Sequence, residues 1–185
     1  GTLTEFGTID DEQGFVSAQD IAVDSAGNVY VSDRGRRDVW RFTPDGAGEL
    51  FWRVPPDDER IDDVIPTGLA YDASTDTLLI TDLNADTIYR VGLESPSTNG
   101  ENTEIIYRYP ADSDSRDQPD FDGITVAPDG TIYAAAYRDD ENNGVVRLDD
   151  NTVTYLATNF RGATDVAYFD GRIYVLRYTF NQCAY

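Results

Sequence analysis

The sequence predicts an all-β protein made of a repeated four-stranded antiparallel unit, on three observations. Four segments align with one another: "QDIAVDSAGNVYVSD" from Gln19, "TGLAYDASTDTLLITD" from Thr67, "DGITVAPDGTIYAAAY" from Asp122 and "TDVAYFDGRIYVLRY" from Thr164. Each holds an apolar run, a turn rich in Asp, Gly, Ser or Thr, and a second run with the period-two alternation of a half-buried strand. No window keeps apolar residues at helical spacing for even a few turns, so no helix is expected.

Taken in order, the first unit spans about 19–53, with an inner run, a Gly27-Asn28 turn, a middle run, and then "DVWRFTP" and "ELFWRV". The second spans about 67–110 and ends in "TIYRVGL" and "TEIIYRY". The third, about 122–158, ends in "GVVRLDD" and "TVTYLAT", whereas the fourth, about 164–180, has only its first two runs. β-Branched and aromatic enrichment in every run favours strands. Ile21, Leu69, Ile124 and Val166 hold equivalent places, so the units recur after about 48, 55 and 42 residues, a spacing that suits a β-propeller blade. A β-sandwich would not explain why the units resemble one another.

The expectation is therefore a single β-propeller domain over 1–185, with three complete blades, part of a fourth, and an N-terminal strand over 2–8 from a neighbouring or closing blade. The preferred reading is a portion of a six-bladed ring, because few residues remain after Phe180 for a third strand. The alternatives are a small four-bladed ring closed by the N-terminal strand and a ring shared by two copies. Trp40, Trp52, Tyr89, Tyr107 and Tyr133 fall at strand positions suited to packing between blades.

Composition bounds the partners. The 185 residues are 40% hydrophobic and 12% aromatic, enough to fold, and carry a net charge of −21. Nucleic acid and anionic membranes are not expected partners, since either needs a basic face; cations and basic surfaces fit. All 14 positive charges are Arg, and Arg34–Arg37 contains a local basic cluster expected to pair with nearby Asp. Cys183 alone permits no internal disulfide. With no His, Ser-His-Asp and Cys-His arrangements and His-ligated zinc are excluded. An extracellular or periplasmic location is the expectation.

"QDIAVDSAGNVYVSDRGRRDVWRF" resembles an NHL-type repeat, and "DFDGITVAPDGTIYAAAY" followed by "NNGVVRLDD" is similar to a blade of the SMP-30/gluconolactonase group. That resemblance implies a six-bladed propeller with a divalent metal, commonly calcium, at the channel mouth, where it could polarise a lactone carbonyl and activate water. The group's ligand positions lie just ahead of the inner strands and align with Gln19, Thr67 and Asp122. Asp122 matches the group's acid, in "FDG". Thr67 stands where an Asn ligand is expected and Gln19 where a substrate-contacting Asn is expected, and no blade here supplies the group's further Glu.

Asp20 and Asp165 begin inner strands and can add charge at the same rim, or else accept backbone hydrogen bonds. An alternative calcium loop is "DDENNG", with Asp139, Glu141 and Asn143 at alternate positions and Asp150 in place of a last ligand. Its bland counterpart is a solvated hairpin tip, as for "ADSDSRD" at 111–117 and "PDDERIDD" at 56–63. The leading functional expectation is a binding or scaffold module whose channel-mouth loops hold a protein, peptide or glycan. The alternatives are a calcium-dependent, gluconolactonase-like hydrolase and a self-associating structural subunit of an extracellular assembly.

Overall fold

The structure, a computed structural model, describes residues 2, 4–9, 13–110, 118–137, 143–160 and 162–178. Within them are fourteen β-strands and no helix. Blade one is β1 (Ala18–Val23), β2 (Val29–Asp33), β3 (Asp38–Phe42) and β4 (Gly48–Arg53). Blade two is β5 (Pro66–Asp72), β6 (Thr77–Asp82), β7 (Thr87–Gly92) and β8 (Thr103–Arg108). Blade three is β9 (Phe121–Val126), β10 (Ile132–Ala136), β11 (Gly144–Asp149) and β12 (Thr152–Thr158), and β13 (Ala163–Phe169) with β14 (Arg172–Arg177) forms half of a fourth. Every sheet is an antiparallel meander in chain order, and β1, β5, β9 and β13 lie side by side as the inner strands. The architecture is an all-β propeller of about three and a half blades.

Short turns permit the meander. In "FDGR", Asp170 and Gly171 both take left-handed φ (49° and 72°) between the paired residues Phe169 and Arg172, the backbone that a two-residue hairpin requires. The blades then stack through their faces. Within blade one Tyr30 meets Phe51 edge-on at 4.9 Å, and across to blade two Trp52 lies 5.1 Å from Tyr89. Between blades two and three, Tyr107 and Phe121 are 5.4 Å apart, and Tyr133 stacks on Tyr168 of the half-blade at 6.4 Å. Such contacts add about 0.5–1.5 kcal/mol each to the burial they accompany. Four of the five aromatics singled out in the sequence sit between blades. The fifth, Trp40, packs with Ile9 and Phe42 on the outer face of blade one.

Of the stretch read as an N-terminal strand over 2–8, residues 6–8 lie along blade one. Thr8 makes a single parallel bridge to Ala47, and neither the half-blade nor another sheet takes up the described residues of this segment as a strand. Phe15 then covers Phe42 at 6.0 Å.

Polar side chains stitch the inner strands together at one end of the channel. The Ser32 hydroxyl accepts the Asp20 N–H and donates to the Thr67 carbonyl of the next blade at 2.6 Å. Thr81, at the same place in blade two, accepts the Gly68 N–H and donates to the Asp122 carbonyl. The strands approach so closely that a Cβ on Gly68 would strike the Asp122 carbonyl, and one on Gly123 would strike Asp165. Glycine is required there for space rather than for an unusual φ.

Candidate functional site at the channel mouth

The position ahead of each inner apolar run is Gln19, Thr67, Asp122 and Thr164, and the next is Asp20, Gly68, Gly123 and Asp165. The register of the four inner strands brings all eight, with Leu176, around one cleft of about 310 Å³. Every rim residue that the sequence singled out therefore meets at one place: Gln19, Thr67, Asp122, Asp20 and Asp165. Larger, shallower depressions lie elsewhere, one of them along Arg90, Glu104 and Asp150.

The side chains at this rim do unequal work. Asp20 accepts its own neighbour's N–H, from Ile21, at 2.7 Å on one oxygen, and the Leu69 N–H of blade two at 2.7 Å on the other. Asp165 accepts the Val166 N–H at 2.7 Å. Thr67 is turned inward, with its hydroxyl 3.3 Å from that of Thr81 and donating to the Phe121 carbonyl at 3.1 Å. Gln19 is exposed and bonds only locally, to Ser17 and the Ala18 carbonyl. Among the described residues none hydrogen-bonds to the Asp122 carboxylate, whose bond at the stitch uses the backbone carbonyl.

The electrostatics follow from this crowding. Burial, then the charges of Asp165 and Asp20, push Asp122 up to about 6, against a weak opposing pull from Arg34. Burial also raises Asp20, partly offset by the N–H groups of Leu69 and Ile21, and the Asp165 charge adds to the rise. Asp165 is raised by burial and eased by the Val166 N–H. Three carboxylates thus face one cleft and resist ionising together, so a cation entering it would be drawn in.

A resident calcium fits these residues poorly. Calcium takes six to eight oxygens, yet both oxygens of Asp20 and the hydroxyl of Thr67 are committed to the backbone or to Thr81. Among the described residues, no group of three His, Cys, Asp or Glu side chains is placed to hold one ion. Of the alternative loop, only two of the four residues are described, and those two stand apart. Asp139 and Glu141 lie outside the described residues, while Asn143 and Asp150 are separated by the whole of β11 (Gly144–Asp149), about 20 Å of extended chain. Asn143 is buried, its Oδ1 accepting the Ala163 N–H at 2.8 Å, and Asp150 turns with φ 51° at the opposite end of the strand.

"PDDERIDD" is exposed over most of its length but is anchored at two residues. Asp58 is buried against Arg108 and receives the Tyr89 hydroxyl at 3.2 Å, and Arg60 donates to the carbonyls of Ala85 (2.7 Å) and Tyr109 (2.9 Å). The segment 111–117 lies outside the described residues. In the basic cluster, Arg36 lies 3.5 Å from Asp38 and 5.3 Å from the Trp40 ring centroid, and Arg37 donates to the Asp62 carbonyl at 2.6 Å.

The sequence reading missed Asp33 and Asp82, which end β2 and β6. Asp33 accepts the N–H groups of Val16, Ser17, Gly35 and Arg36, and Asp82 those of Ile65, Asn84 and Ala85. Each fixes the loop beside the channel mouth and the run-in to its own inner strand. Their signal was the shared ending of "YVSD" and "LITD" in two aligned repeats. Asp86 was missed as well: wholly buried, it accepts the Asp120 N–H at 2.6 Å on one oxygen and no hydrogen bond on the other.

No protein-family model and no curated protein sequence matches the chain. Solved structures do. A gluconolactonase from Xanthomonas campestris shares 16% identity at TM-score 0.62, over 89% of this chain and 55% of its own. Virginiamycin B lyase from Staphylococcus aureus shares 13% at 0.63, over 86% and 48%. A chain of the nidogen/laminin complex shares 19% at 0.60, over 83% and 55%. The chain thus spans about half the length of the structures it matches. Its structural neighbours are gluconolactonase-like and virginiamycin B lyase-like β-propellers, the kind of fold that the repeats resemble.

Proposed function

We propose that the chain is a binding module whose channel mouth takes a positively charged group from a protein or peptide partner. The observation that carries this reading is the convergence of Asp20, Asp122 and Asp165 on one cleft, where each ionised neighbour burdens Asp122. An arginine or lysine side chain would relieve that repulsion and could hydrogen-bond to the free Asp122 carboxylate. The fold itself is compatible with several uses, since the matched structures include a lyase, a gluconolactonase and a chain of a protein complex.

The test is titration of a fluorescent tetrapeptide carrying two arginines. Binding is expected to weaken at least about tenfold in Asp122→Asn, equivalent to 1.4 kcal/mol. It is also expected to weaken as pH falls through about 6, where Asp122 gains its proton. Asp129→Asn, on an exposed turn, controls for the acidity of the chain at large and is expected to change little. Equal loss in both variants would assign the binding to net charge and sink the reading.

A second reading, a calcium-dependent lactonase, is supported by Asp122 in its "FDG" setting and by the gluconolactonase-like fold. It requires ligands beyond those described here. Calcium raising the melting temperature in the parent but not in Asp122→Ala, together with chelator-sensitive lactone hydrolysis, would favour it.

A further inference from the structure

We infer that the outer edge of β8 in blade two is a docking site for an extended peptide segment of another protein, which joins the sheet as a parallel strand and alternates apolar with basic side chains. The molecule already makes this joint once. In the connection between β7 and β8, Ser97 lies beside β4 in a parallel bridge to Trp52, its N–H donating to the Phe51 carbonyl at 2.7 Å and its carbonyl accepting the Arg53 N–H at 3.2 Å. Both β4 and β8 are bulged at the same place, so Leu50, Phe51, Trp52 and Arg53 correspond in register to Ile105, Ile106, Tyr107 and Arg108. On β8 the matching outward pair is the Ile106 carbonyl and the Arg108 N–H, and neither has a backbone partner beyond its own sheet among the described residues. An edge with such groups is a template for a further strand.

The surroundings of this edge define the segment that fits it. A cleft of about 430 Å³ flanks β8 on the side of blade one, where Ile105 and Arg108 meet Asp57 and Glu59. Another of about 430 Å³ flanks it on the side of blade three, where Ile105 and Ile106 meet Ile132 and Leu148. Ser97 and Trp52 turn their side chains the same way, both to the Thr103 hydroxyl. A residue that bridges Tyr107 as Ser97 bridges Trp52 therefore turns toward blade three, as Tyr107 does against Phe121, and its two chain neighbours turn toward Asp57 and Glu59. The first direction suits an apolar side chain, since Ile105 on this edge is 42% exposed. The second suits arginine or lysine, because Arg108 is engaged by the buried Asp58 and reaches Glu59 only at 3.9 Å. Backbone bonds then supply affinity and the two clefts select side chains, the division of labour in strand addition. A second copy of the chain is a poor occupant, as each carries a charge of −21. This edge shares no residue with the channel mouth.

The probe is a fluorescent seven-residue peptide in which arginine and valine alternate, with its Kd read by anisotropy. In a strand paired as Ser97 is, the valine N–H groups point at β8 and the arginine N–H groups point away. N-Methylation of the valines is expected to weaken binding at least about tenfold, whereas N-methylation of the arginines, at the same charge, should change it less than about twofold. Glu59→Arg should weaken it at least about fivefold more than Asp129→Arg, which changes the charge equally on an exposed turn. Bound peptide should also slow exchange of the Arg108 amide. Four results would overturn the inference: no binding by the unmodified peptide, equal losses from the two methylations, affinity lost in Asp122→Asn but kept in Glu59→Arg, which would place the peptide at the channel mouth, or a parent dimer that Ile105→Lys dissociates, which would give the edge to a second copy.

Discussion

Asp86 shows what one side chain contributes to the blade stack and what it costs. It sits in the turn before β7 with φ 48°, a left-handed backbone that Asp and Asn tolerate better than most residues. From there it holds the start of blade three through the Asp120 N–H. Burial, then the charges of Asp120 and Asp82, push it up to about 7, despite that N–H and Arg60. Its ionised form is therefore disfavoured in the folded chain. Between about pH 4, where the unfolded carboxyl ionises, and about 7, the native state holds a proton that the unfolded state has lost, so stability falls as pH rises and levels off above 7. Asp86→Asn, which keeps the accepting oxygen and the turn, should be more stable than the parent by roughly 2 kcal/mol at pH 8. Urea unfolding across the pH range should show that advantage shrinking to nothing near pH 4; a constant difference would discount the charge as its source.

Among the elements, regular strands were legible and the polar joints between them were not. Period-two alternation located all fourteen strands within a few residues, because a sheet with defined faces imposes that pattern on its sequence. The clustering of Gln19, Asp20, Thr67, Asp122 and Asp165 followed from the repeat, since equivalent places in radially arranged units lie together. Asn143 and Asp150 of the alternative calcium loop stand apart because alternate oxygens before a glycine look the same whether a loop or a strand follows, and here Val145 and Val146 continue as β11. In the segment 56–63, exposed for most of its length, the buried anchor stayed hidden because Asp58 and Arg108 are about fifty positions apart and sequence spacing does not announce such a pair. Burial pushes the Asp58 carboxyl up, but the Arg60 N–H, the Arg108 guanidinium and the Tyr89 hydroxyl outweigh it and hold the group below its usual range. Arg108→Ala leaves that carboxylate buried without its cation and should cost about 3 kcal/mol. Asp58→Asn added to Arg108→Ala should recover part of the loss; full additivity of the two would show that they are not a pair.

Across the whole molecule, the described residues of each blade pack chiefly against the blades beside it, and the two ends of the arc are unlike. Blade one ends in a face half-covered by Ile9 and Phe15, with Ile21 61% exposed, and the half-blade ends in a face where Phe169, Tyr174 and Leu176 are exposed. Blade two is enclosed on both sides: β6 is buried from Leu78 to Asp82, whereas β12 and β14 hold no fully buried residue. In a stack of this kind, stability is close to a sum of each unit's own share and its contacts with neighbours. Opening should then proceed inward from the two ends, with the central sheet the last to come apart. Amide exchange followed by mass spectrometry should be slowest in β6 and β7, faster in β1, and fastest in β14; uniform protection would mean that the arc opens as one unit. For the channel mouth the order matters, because Asp165 belongs to the sheet that opens first, and Asp122 and Thr67 to strands held from both sides. A visitor to the cleft would find one wall that breathes and another that holds still.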